Sequence, residues 1–243
     1  MEIIIYILYS NSSNFKINHY YKINIQKKIG EGTYGYVYDI NKDLVVKIFK
    51  YYTNLIENKD DNLLPNKNEN RELNFFINYL EKNIKKNSYI ININAIAIIK
   101  YINDDKINVE NNYCLILPKC VSVMKLINNW KMPLIENRDG KRLVLNFMKR
   151  LIDIELFLNN NFNITNLDIK LNNYMIDKRH KININNILAI DFGLIMKNDN
   201  IKFNFDKKYY IWPKVDNINI NYISSYSICI NGLILFLGES KVK

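Results

Sequence analysis

The segments NLDIKLNN (residues 166–173) and IDFG (residues 190–193) carry the strongest functional signal in this chain. Asp168 and Asn173 lie on one predicted loop, and Asp191 follows an apolar run that predicts a buried strand. Hard divalent cations take oxygen ligands, so Asn173 and Asp191 are candidate ligands for Mg²⁺ held against nucleotide phosphates. Asp168, outside that metal shell, could accept the proton of an attacking hydroxyl.

Two lysines could meet phosphate groups. Lys170 could reach a transferring phosphoryl group and offset its charge. Lys47 ends an apolar run and, on a strand that faces a phosphate site, could neutralise the α- and β-oxygens. Glu72, near the start of a predicted helix, could pair with Lys47 and hold it extended. The alternative, a lysine at a sheet edge and a solvated ion pair, stays open on these two residues alone.

Residues 30–35 read GEGTYG and fit the pattern G-x-G-x-x-G, in which backbone amides can approach phosphate oxygens closely. A dinucleotide-binding fold needs this motif to end a strand and open a helix. Residues 36–38 instead continue with strand alternation, so the motif predicts the tip of a hairpin that could fold over a nucleotide. A plain turn remains the alternative for the motif by itself.

Hydrophobic periodicity predicts a β-rich front and a helical back that join near Cys120. A polar stretch from Thr53 to Asn70 predicts a long loop. The predicted strands are Met1–Leu8, Lys22–Ile29, Tyr34–Ile40, Leu44–Phe49, Tyr89–Tyr101, Tyr113–Lys119, Tyr174–Ile176 and Ile187–Ile190. The predicted helices are Glu72–Leu80, Lys141–Leu158 and a closing apolar helix from about Tyr222.

The composition restricts the partners only loosely. The chain has 34 Lys and Arg residues against 24 Asp and Glu residues, a formal net charge of +10 that would attract anionic ligands. The bias toward Asn, Ile and Lys is also what an adenine- and thymine-rich genome imposes, so we interpret most lysines as solvated. A polyanion-binding protein is the alternative, but no interleaving of aromatic and basic residues supports it, and we expect no specific nucleic-acid partner.

Cysteine usage and hydropathy indicate a soluble, intracellular protein. The three cysteines are odd in number and include no close pair, which argues against both a disulfide framework and a zinc cluster. The apolar runs at Met1–Leu8 and Ile228–Leu237 are too short to cross a bilayer, so we expect no membrane span. With 243 residues, of which 48% are apolar, the chain is long enough for one two-lobed domain.

Taken in order along the chain, these motifs resemble the eukaryotic-type protein kinase superfamily. The resemblance runs from about Lys22 to the C-terminus and implies an α+β, two-lobed protein-kinase-like fold. It implies a β-rich N-lobe over residues 1–119, with a hinge at its end, and a helical C-lobe over residues 120–243 that is shortened at its C-terminus. The shortness, the compositional bias and the hinge residues also resemble divergent kinases of large DNA viruses, which implies a host cytoplasm or a virion as the location.

The resemblance implies roles for individual residues in binding ATP and Mg²⁺. The hairpin residues would cover the phosphates, Val37 would cap the adenine, and Lys47 would grip the α- and β-phosphates while paired to Glu72. Leu117 stands at the gatekeeper position, and the main chain of Pro118 to Cys120 would face the adenine edge. Asp168 would be the catalytic base, with Lys170 beside it, and Asn173 and Asp191 the metal ligands. The cofactor-binding residues implied are Gly30, Glu31, Gly32, Thr33, Gly35, Val37, Lys47, Glu72, Leu117 and Cys120.

A lysine two positions after the catalytic aspartate resembles the serine/threonine branch of the family. The implied activity is therefore transfer of the γ-phosphoryl group of ATP to Ser or Thr hydroxyls of protein substrates. The same lysine argues against an aminoglycoside-type kinase. The alternative from another class is a pseudokinase, a nucleotide-binding regulatory or scaffold protein.

Several positions depart from the family pattern. Asn166 and Leu167 replace the usual His-Arg, so a phosphorylated activation loop would lack its arginine partner and we expect no such control. Ser224 stands where an aspartate normally anchors the catalytic loop, and residues 212–214 are the nearest relic of the usual Ala-Pro-Glu. Few residues follow the last helix, which implies an apolar face that is exposed or covered by a partner.

Overall fold

The computed structural model describes residues 1–32, 35–50, 71–82, 87–102, 112–123, 127, 138–197 and 220–237. The chain forms two compact units, one of Met1–Val121 with Ile176–Lys181 and one of Ser122–Met175 with Ile182–Lys243. The first unit is built mainly on a sheet and the second mainly on helices, so the predicted α+β class is confirmed.

The first unit is an antiparallel sheet with one helix. In the described residues the sheet has seven strands in the order β2-β1-β6-β7-β5-β4-β3. Its strands are β1 (Glu2–Ser10), β2 (Tyr20–Asn24), β3 (Lys28–Glu31), β4 (Gly35–Asp39), β5 (Leu44–Phe49), β6 (Ala95–Ile102) and β7 (Tyr113–Pro118). Helix α1 covers Arg71–Glu81, and the short strand β8 covers Cys120–Ser122. Strands β4 and β5 and helix α1 confirm the sequence-based prediction, whereas the first strand of the predicted meander is placed differently.

One face of the sheet forms the main core of the first unit. Ile3, Ile5 and Ile7 alternate along β1 and are fully buried, and Val46 and Ile48 of β5 join the same cluster. Burying one such side chain stabilises the fold by about 1.5–3 kcal/mol. Because side chains alternate with a period of two, a slip of one residue would turn the isoleucines of β1 to the other face. The apolar alternation therefore determines the register.

The prediction of one strand over Lys22–Ile29 is wrong. Strand β2 ends at Asn24 and pairs with β1, whereas β3 starts at Lys28 and pairs with β4 at the other end of the strand order. The connection is held by backbone bonds, from Gln26 N–H to the carbonyl of Asp39 at 2.8 Å and from Asp39 N–H to the carbonyl of Lys27 at 3.0 Å. Ile25 extends the apolar alternation past the end of β2, and Ile29 falls in the same phase, so the break was not recognised from the sequence.

The predicted strand Tyr89–Tyr101 also starts too early, because β6 begins only at Ala95. The side-chain oxygen of Asn87 accepts the N–H groups of Tyr89 and Ile90, both at 2.8 Å, and so competes with strand pairing. Other strand ends differ from the prediction by one or two residues. The predicted loop Thr53–Asn70 and strand start Tyr34 lie outside the described residues.

The second unit contains the two longer helices, α2 (Arg138–Phe162) and α3 (Ile220–Leu237). Its short strands are β9 (Ile164–Asn166), β11 (Ile187–Ala189) and β12 (Ile195–Lys197). Strand β10 (Tyr174–Asp177) begins in the second unit, and its last two residues are assigned to the first. Helix α2 exceeds its predicted range by a few residues at each end and terminates where Asn163 adopts a positive φ of 55°. No helix in the described ranges is long and apolar enough to cross a membrane.

Helix α2 buries an apolar stripe and two polar groups. Val144, Phe147, Leu151, Ile154 and Leu158 are fully buried. Arg150 donates from Nε and Nη2 to the carbonyl of Ile187, at 3.0 and 2.9 Å, which joins α2 to β11. Glu155 turns its carboxyl group inward and accepts the N–H of Asn166 at 3.2 Å. Burial raises the pKa of Glu155 to about 8, although the Asn166 N–H acts in the opposite direction.

Replacing Gly35 by alanine should destabilise the hairpin. A Cβ at this position would lie 2.6 Å from the carbonyl oxygen of Ile48, a backbone atom of the neighbouring strand. We expect Gly35→Ala to lower the free energy of unfolding by about 1–3 kcal/mol, measured by urea denaturation. The control is Gly32→Ala, where a Cβ would meet no atom of the described residues within 4 Å. Equal losses in the two variants would contradict this account of Gly35.

The Glu155 carboxyl group should make the stability of the fold depend on pH. Between the ordinary value of 4.5 and about 8, the folded chain keeps this proton and the unfolded chain releases it. The contribution of Glu155 is therefore complete below the unfolded pKa and is lost as the pH rises toward 8. We expect the free energy of unfolding of the wild type to fall relative to that of Glu155→Gln between pH 5 and about 8. A difference that stays constant with pH would contradict the raised pKa.

Candidate active site

Several predicted site residues share one face of the sheet in the first unit. Lys47 on β5 stands opposite Val37 on β4 and opposite Leu115 on β7. Val45 stands opposite Leu117 in the same way. Directly opposed residues of antiparallel strands point to the same face, and positions two apart along a strand do so too. Val37, Lys47 and Leu117 therefore lie together, on the face opposite the main core.

Lys47 and Glu72 form an ion pair between β5 and α1. Their contact is a hydrogen bond from Nζ to Oε2, and the side chains are 15% and 1% exposed. The ammonium also lies 5.8 Å from the centre of the Phe49 ring. A buried carboxylate of this kind depends on its cation, because removing one partner of a buried pair is strongly destabilising. The predicted contact between these two residues is present in the structure.

The glycines of the hairpin have different surroundings. The N–H of Gly32 donates to the carbonyl of Gly35 at 2.9 Å, and Gly30 stands opposite Val37. Gly35 has the neighbouring backbone close to it, whereas the space beside Gly32 is open. Gly35 is therefore required by packing within the sheet, while Gly32 leaves room for an approaching ligand. Thr33, also predicted here, lies outside the described residues.

The side chain of Glu31 is engaged by lysines at the surface. Its carboxylate lies 2.8 Å from Lys28 Nζ and 2.8 Å from Lys50 Nζ. Hydrogen bonds from Lys28 and then Lys50 lower the pKa of Glu31 to about 2. Both ammonium groups also lie over the ring of Tyr36, at 5.4 and 4.7 Å from its centre. A ligand of the hairpin would thus meet the backbone of Glu31, because Lys28 and Lys50 already bind the carboxylate of this residue.

The segment predicted as the hinge is tied to its own unit through Lys119. The N–H of Lys119 donates to the carbonyl of Asp43 at 2.7 Å, and its carbonyl accepts the N–H of Lys178 at 3.0 Å. Its ammonium pairs with Asp39 at 2.7 Å. Leu117 is buried, and burial raises the pKa of the Cys120 thiol to about 12, which keeps it protonated. The backbone of Lys119 is therefore already used within the protein.

In the second unit, the structure brings Asp168, Lys170 and Asn173 together. Lys170 Nζ donates to Asp168 Oδ2 at 2.6 Å. Asn173 Nδ2 donates to the same oxygen and to the carbonyl of Asp168, both at 2.8 Å. The short helical turn Leu171–Asn173 makes this possible, because it folds Asn173 back onto the start of the loop. A buried carboxylate is thus held by an ammonium and an amide.

The predicted metal ligands offer a chemically suitable but small donor set. Because Asn173 Nδ2 faces Asp168, the amide oxygen is directed to the other side. Asp191 Oδ1 accepts the N–H of Gly193 at 3.1 Å, and the N–H of Ile190 donates to the carbonyl of Asn173 at 3.1 Å. Among the described residues, no three His, Cys, Asp or Glu side chains are grouped as a metal site. An amide and a carboxylate fit Mg²⁺, which keeps several waters and takes its other oxygens from phosphates.

The sequence did not identify two residues that hold the catalytic loop, defined here as residues 166–173. Asn231 on α3 donates from Nδ2 to the carbonyl of Ile169 at 2.8 Å and to that of Ser227 at 2.7 Å. Glu155 accepts the N–H of Asn166 from the side of α2. Asn231 interrupts an apolar run, and that interruption is a sequence signal that could have identified it. The structure shows this side chain 5% exposed, and a buried amide needs hydrogen-bond partners. Leu167, in place of the usual arginine, is 3% exposed.

Comparison with known proteins shows the fold. No protein-family model matches the sequence, and no curated protein does. Among solved structures, the chain is similar to the ROP18 kinase domain in complex with AMP-PNP and sucrose, with a TM-score of 0.57 and 13% sequence identity. The match covers 98% of this chain and 68% of that chain. The likeness establishes that this chain has a protein-kinase-like α+β fold, as its sequence motifs predicted.

Proposed function

We propose that this chain is an ATP- and Mg²⁺-dependent protein kinase that transfers the γ-phosphoryl group to Ser or Thr hydroxyls of proteins. The observation that carries the proposal is the contact of Asp168 with both Lys170 and Asn173. In the proposal, residues 1–119 form the nucleotide-covering lobe and residues 120–243 the catalytic lobe.

Asp168 would accept the proton of the substrate hydroxyl. A carboxylate can accept about four hydrogen bonds, so the bonds from Lys170 and Asn173 leave room for one from a substrate. These two donors also fix the carboxylate in one orientation, which favours transfer because positioning accounts for much of the catalysis. The Lys170 ammonium, 2.6 Å from Asp168, would at the same time face the developing charge of the phosphoryl group.

The first unit would bind the nucleotide. Lys47, oriented by Glu72, would contact the α- and β-phosphates, and the open space beside Gly32 would let the hairpin backbone approach them. Since the backbone of Lys119 is engaged, the adenine edge would be met by the main chain of Pro118 and Cys120. Val37 and Leu117 would line the adenine pocket.

Asn173 and Asp191 would hold Mg²⁺ through their side-chain oxygens. When bound, Mg²⁺ would neutralise phosphate charge and orient the phosphates. Asn173 would then serve both the metal and the base, because its amide nitrogen donates to Asp168 while its amide oxygen is on the other side. The assignment to the serine/threonine branch rests on Lys170, two positions after Asp168.

Replacing Asp168 should severely reduce phosphoryl transfer while the affinity for the nucleotide is kept. We expect Asp168→Asn to lower turnover by about 10²–10⁴-fold, because the amide cannot accept the proton. The measurement is transfer of labelled phosphate from ATP, with Mg²⁺, to a basic and an acidic test protein, followed by identification of the phosphorylated amino acid. The control is Asp139→Asn, an exposed carboxylate at the start of α2.

Each outcome of that assay is informative. If Asp168→Asn is as active as the wild type, Asp168 is not the base. If the wild type binds ATP but transfers nothing, the chain is a pseudokinase and the proposal fails. Label on tyrosine alone would contradict the serine/threonine assignment.

Removing the Lys47 ammonium should weaken nucleotide binding. Because Lys47→Met also takes the cation away from buried Glu72, the test uses the double variant Lys47→Met/Glu72→Gln. We expect its dissociation constant for ATP to rise about tenfold or more, as measured by calorimetry, since a charge-assisted contact is lost. The control is Lys22→Met, which breaks an exposed ion pair with Glu2 on the same sheet. Unchanged affinity in the folded double variant would remove Lys47 from the site.

A further inference from the structure

Glu155 is a buried carboxyl group that the proposed mechanism does not use. The residue as a whole is half-buried, but its Oε1 atom is fully enclosed and has no hydrogen-bond partner among the described residues. Its Oε2 atom accepts the N–H of Asn166 at 3.2 Å. Burying a polar group is costly in free energy unless it is hydrogen-bonded. Here its hydrogen bond reaches the first residue of the catalytic loop.

Two hydrogen bonds that share Asn166 link Glu155 to Asp168. The side-chain oxygen of Asn166 accepts the N–H of Asp168 at 3.0 Å, and Asn166 itself is 1% exposed. Asn166 also pairs with Ile195 between β9 and β12. The Glu155 contact therefore acts on the residue whose side chain holds the backbone of Asp168. The chain of hydrogen bonds from α2 to the candidate base has only one residue between its ends.

Hydrogen bonds from other parts of the second unit also hold this loop. Asn231 on α3 donates to the carbonyl of Ile169, and the N–H of Leu167 donates to the carbonyl of Leu194. Ser224, at the position where the kinase pattern has a loop-anchoring aspartate, makes no hydrogen bond to residues 166–173 in the part of the chain that the structure describes. In the described residues, the carboxyl group that accepts a hydrogen bond from the backbone of this loop is that of Glu155, on helix α2.

The carboxyl group of Glu155 is suited to act as a neutral acceptor. Burial raises its pKa to about 8, so it keeps its proton at neutral pH and accepts through its unprotonated oxygen. Tyr174 is also fully buried, and burial raises its pKa. A protonated Glu155 adds no negative charge beside Asp168. A glutamine could make the same contact, and an apolar residue could not.

We propose that Glu155 is a positioning residue for Asp168: it holds the backbone of Asn166 and takes the place of the loop-anchoring carboxylate that is absent at Ser224. This inference rests on the proposed phosphoryl transfer. It makes α2, and not only α3, responsible for the geometry of the catalytic loop.

The test compares Glu155→Gln, which keeps the acceptor, with Glu155→Met, which removes it at similar length. In the transfer assay with ATP and Mg²⁺, we expect Glu155→Met to lower kcat tenfold or more while KM for ATP changes less than twofold. Glu155→Gln should stay within twofold of the wild type. If Glu155→Met does not fold, Glu155→Ser replaces it, because the shorter hydroxyl cannot reach Asn166.

Hydrogen exchange of the Asn166 amide gives a readout that does not need activity. We expect faster exchange at Asn166 in Glu155→Met and wild-type exchange in Glu155→Gln. Wild-type kcat and exchange in the folded Glu155→Met or Glu155→Ser variant would overturn the proposal. So would a loss of kcat in Glu155→Gln as large as that in Glu155→Met. If the wild type transfers no phosphate, the proposed function fails and the catalytic role of Glu155 falls with it, while exchange at Asn166 still shows whether Glu155 anchors the loop.

Discussion

Asn173 is the side chain on which the geometry of the catalytic loop depends. Its amide nitrogen donates to both the carbonyl and the carboxylate of Asp168, and its backbone carbonyl accepts the N–H of Ile190. One residue thus fixes the candidate base and the chain just before Asp191. Leucine at this position would lack the donors, and aspartate would place a like charge beside Asp168. The amide of Asn173 can donate to the base from its nitrogen and still present its oxygen to a metal.

Burial explains why so many groups hold this loop. Asp168 is 7% exposed, Asn173 4% and Asn166 1%, so their polar groups cannot rely on water. An unsatisfied buried donor or acceptor costs about 1–3 kcal/mol, which makes partners such as Asn231 valuable inside an otherwise apolar helix. Because each bond restrains the same short segment, the loop has little freedom to move. This rigidity is what a base that works by position requires.

The sequence predicted well what is local. Asp168, Lys170 and Asn173 lie within six residues, and a short loop must bring them close. Helix α2 was predicted because its apolar stripe is continuous. The connection between β2 and β3 was missed because Ile23 and Ile25 extend the alternation of β2 past its end, and only distant backbone bonds end the strand.

The contacts between distant positions needed more than local pattern. Lys47 and Glu72 are 25 positions apart; the two residues alone left their pairing open, and the family resemblance implied it. Glu155 gave no signal in the sequence, since a glutamate next to Leu156, which the structure shows exposed, is ordinary on the outer side of an amphipathic helix. Its role depends on a backbone N–H of residue 166, and backbone groups leave no mark on the sequence. Such partners are found only when the chain is folded.

The departures from the kinase pattern around the loop have a common electrostatic consequence. Leu167 removes a cation and Ser224 removes an anion, so the loop loses charge of both signs. Among the described residues, an ionised Glu155 would then lie in a buried region without a compensating cation, which agrees with its raised pKa of about 8. A neutral acid and the amide of Asn231 hold the loop without net charge. Salt screens charges and not neutral hydrogen bonds, so these two contacts to the loop depend little on ionic strength, in contrast to the ion pair of Asp168 with Lys170.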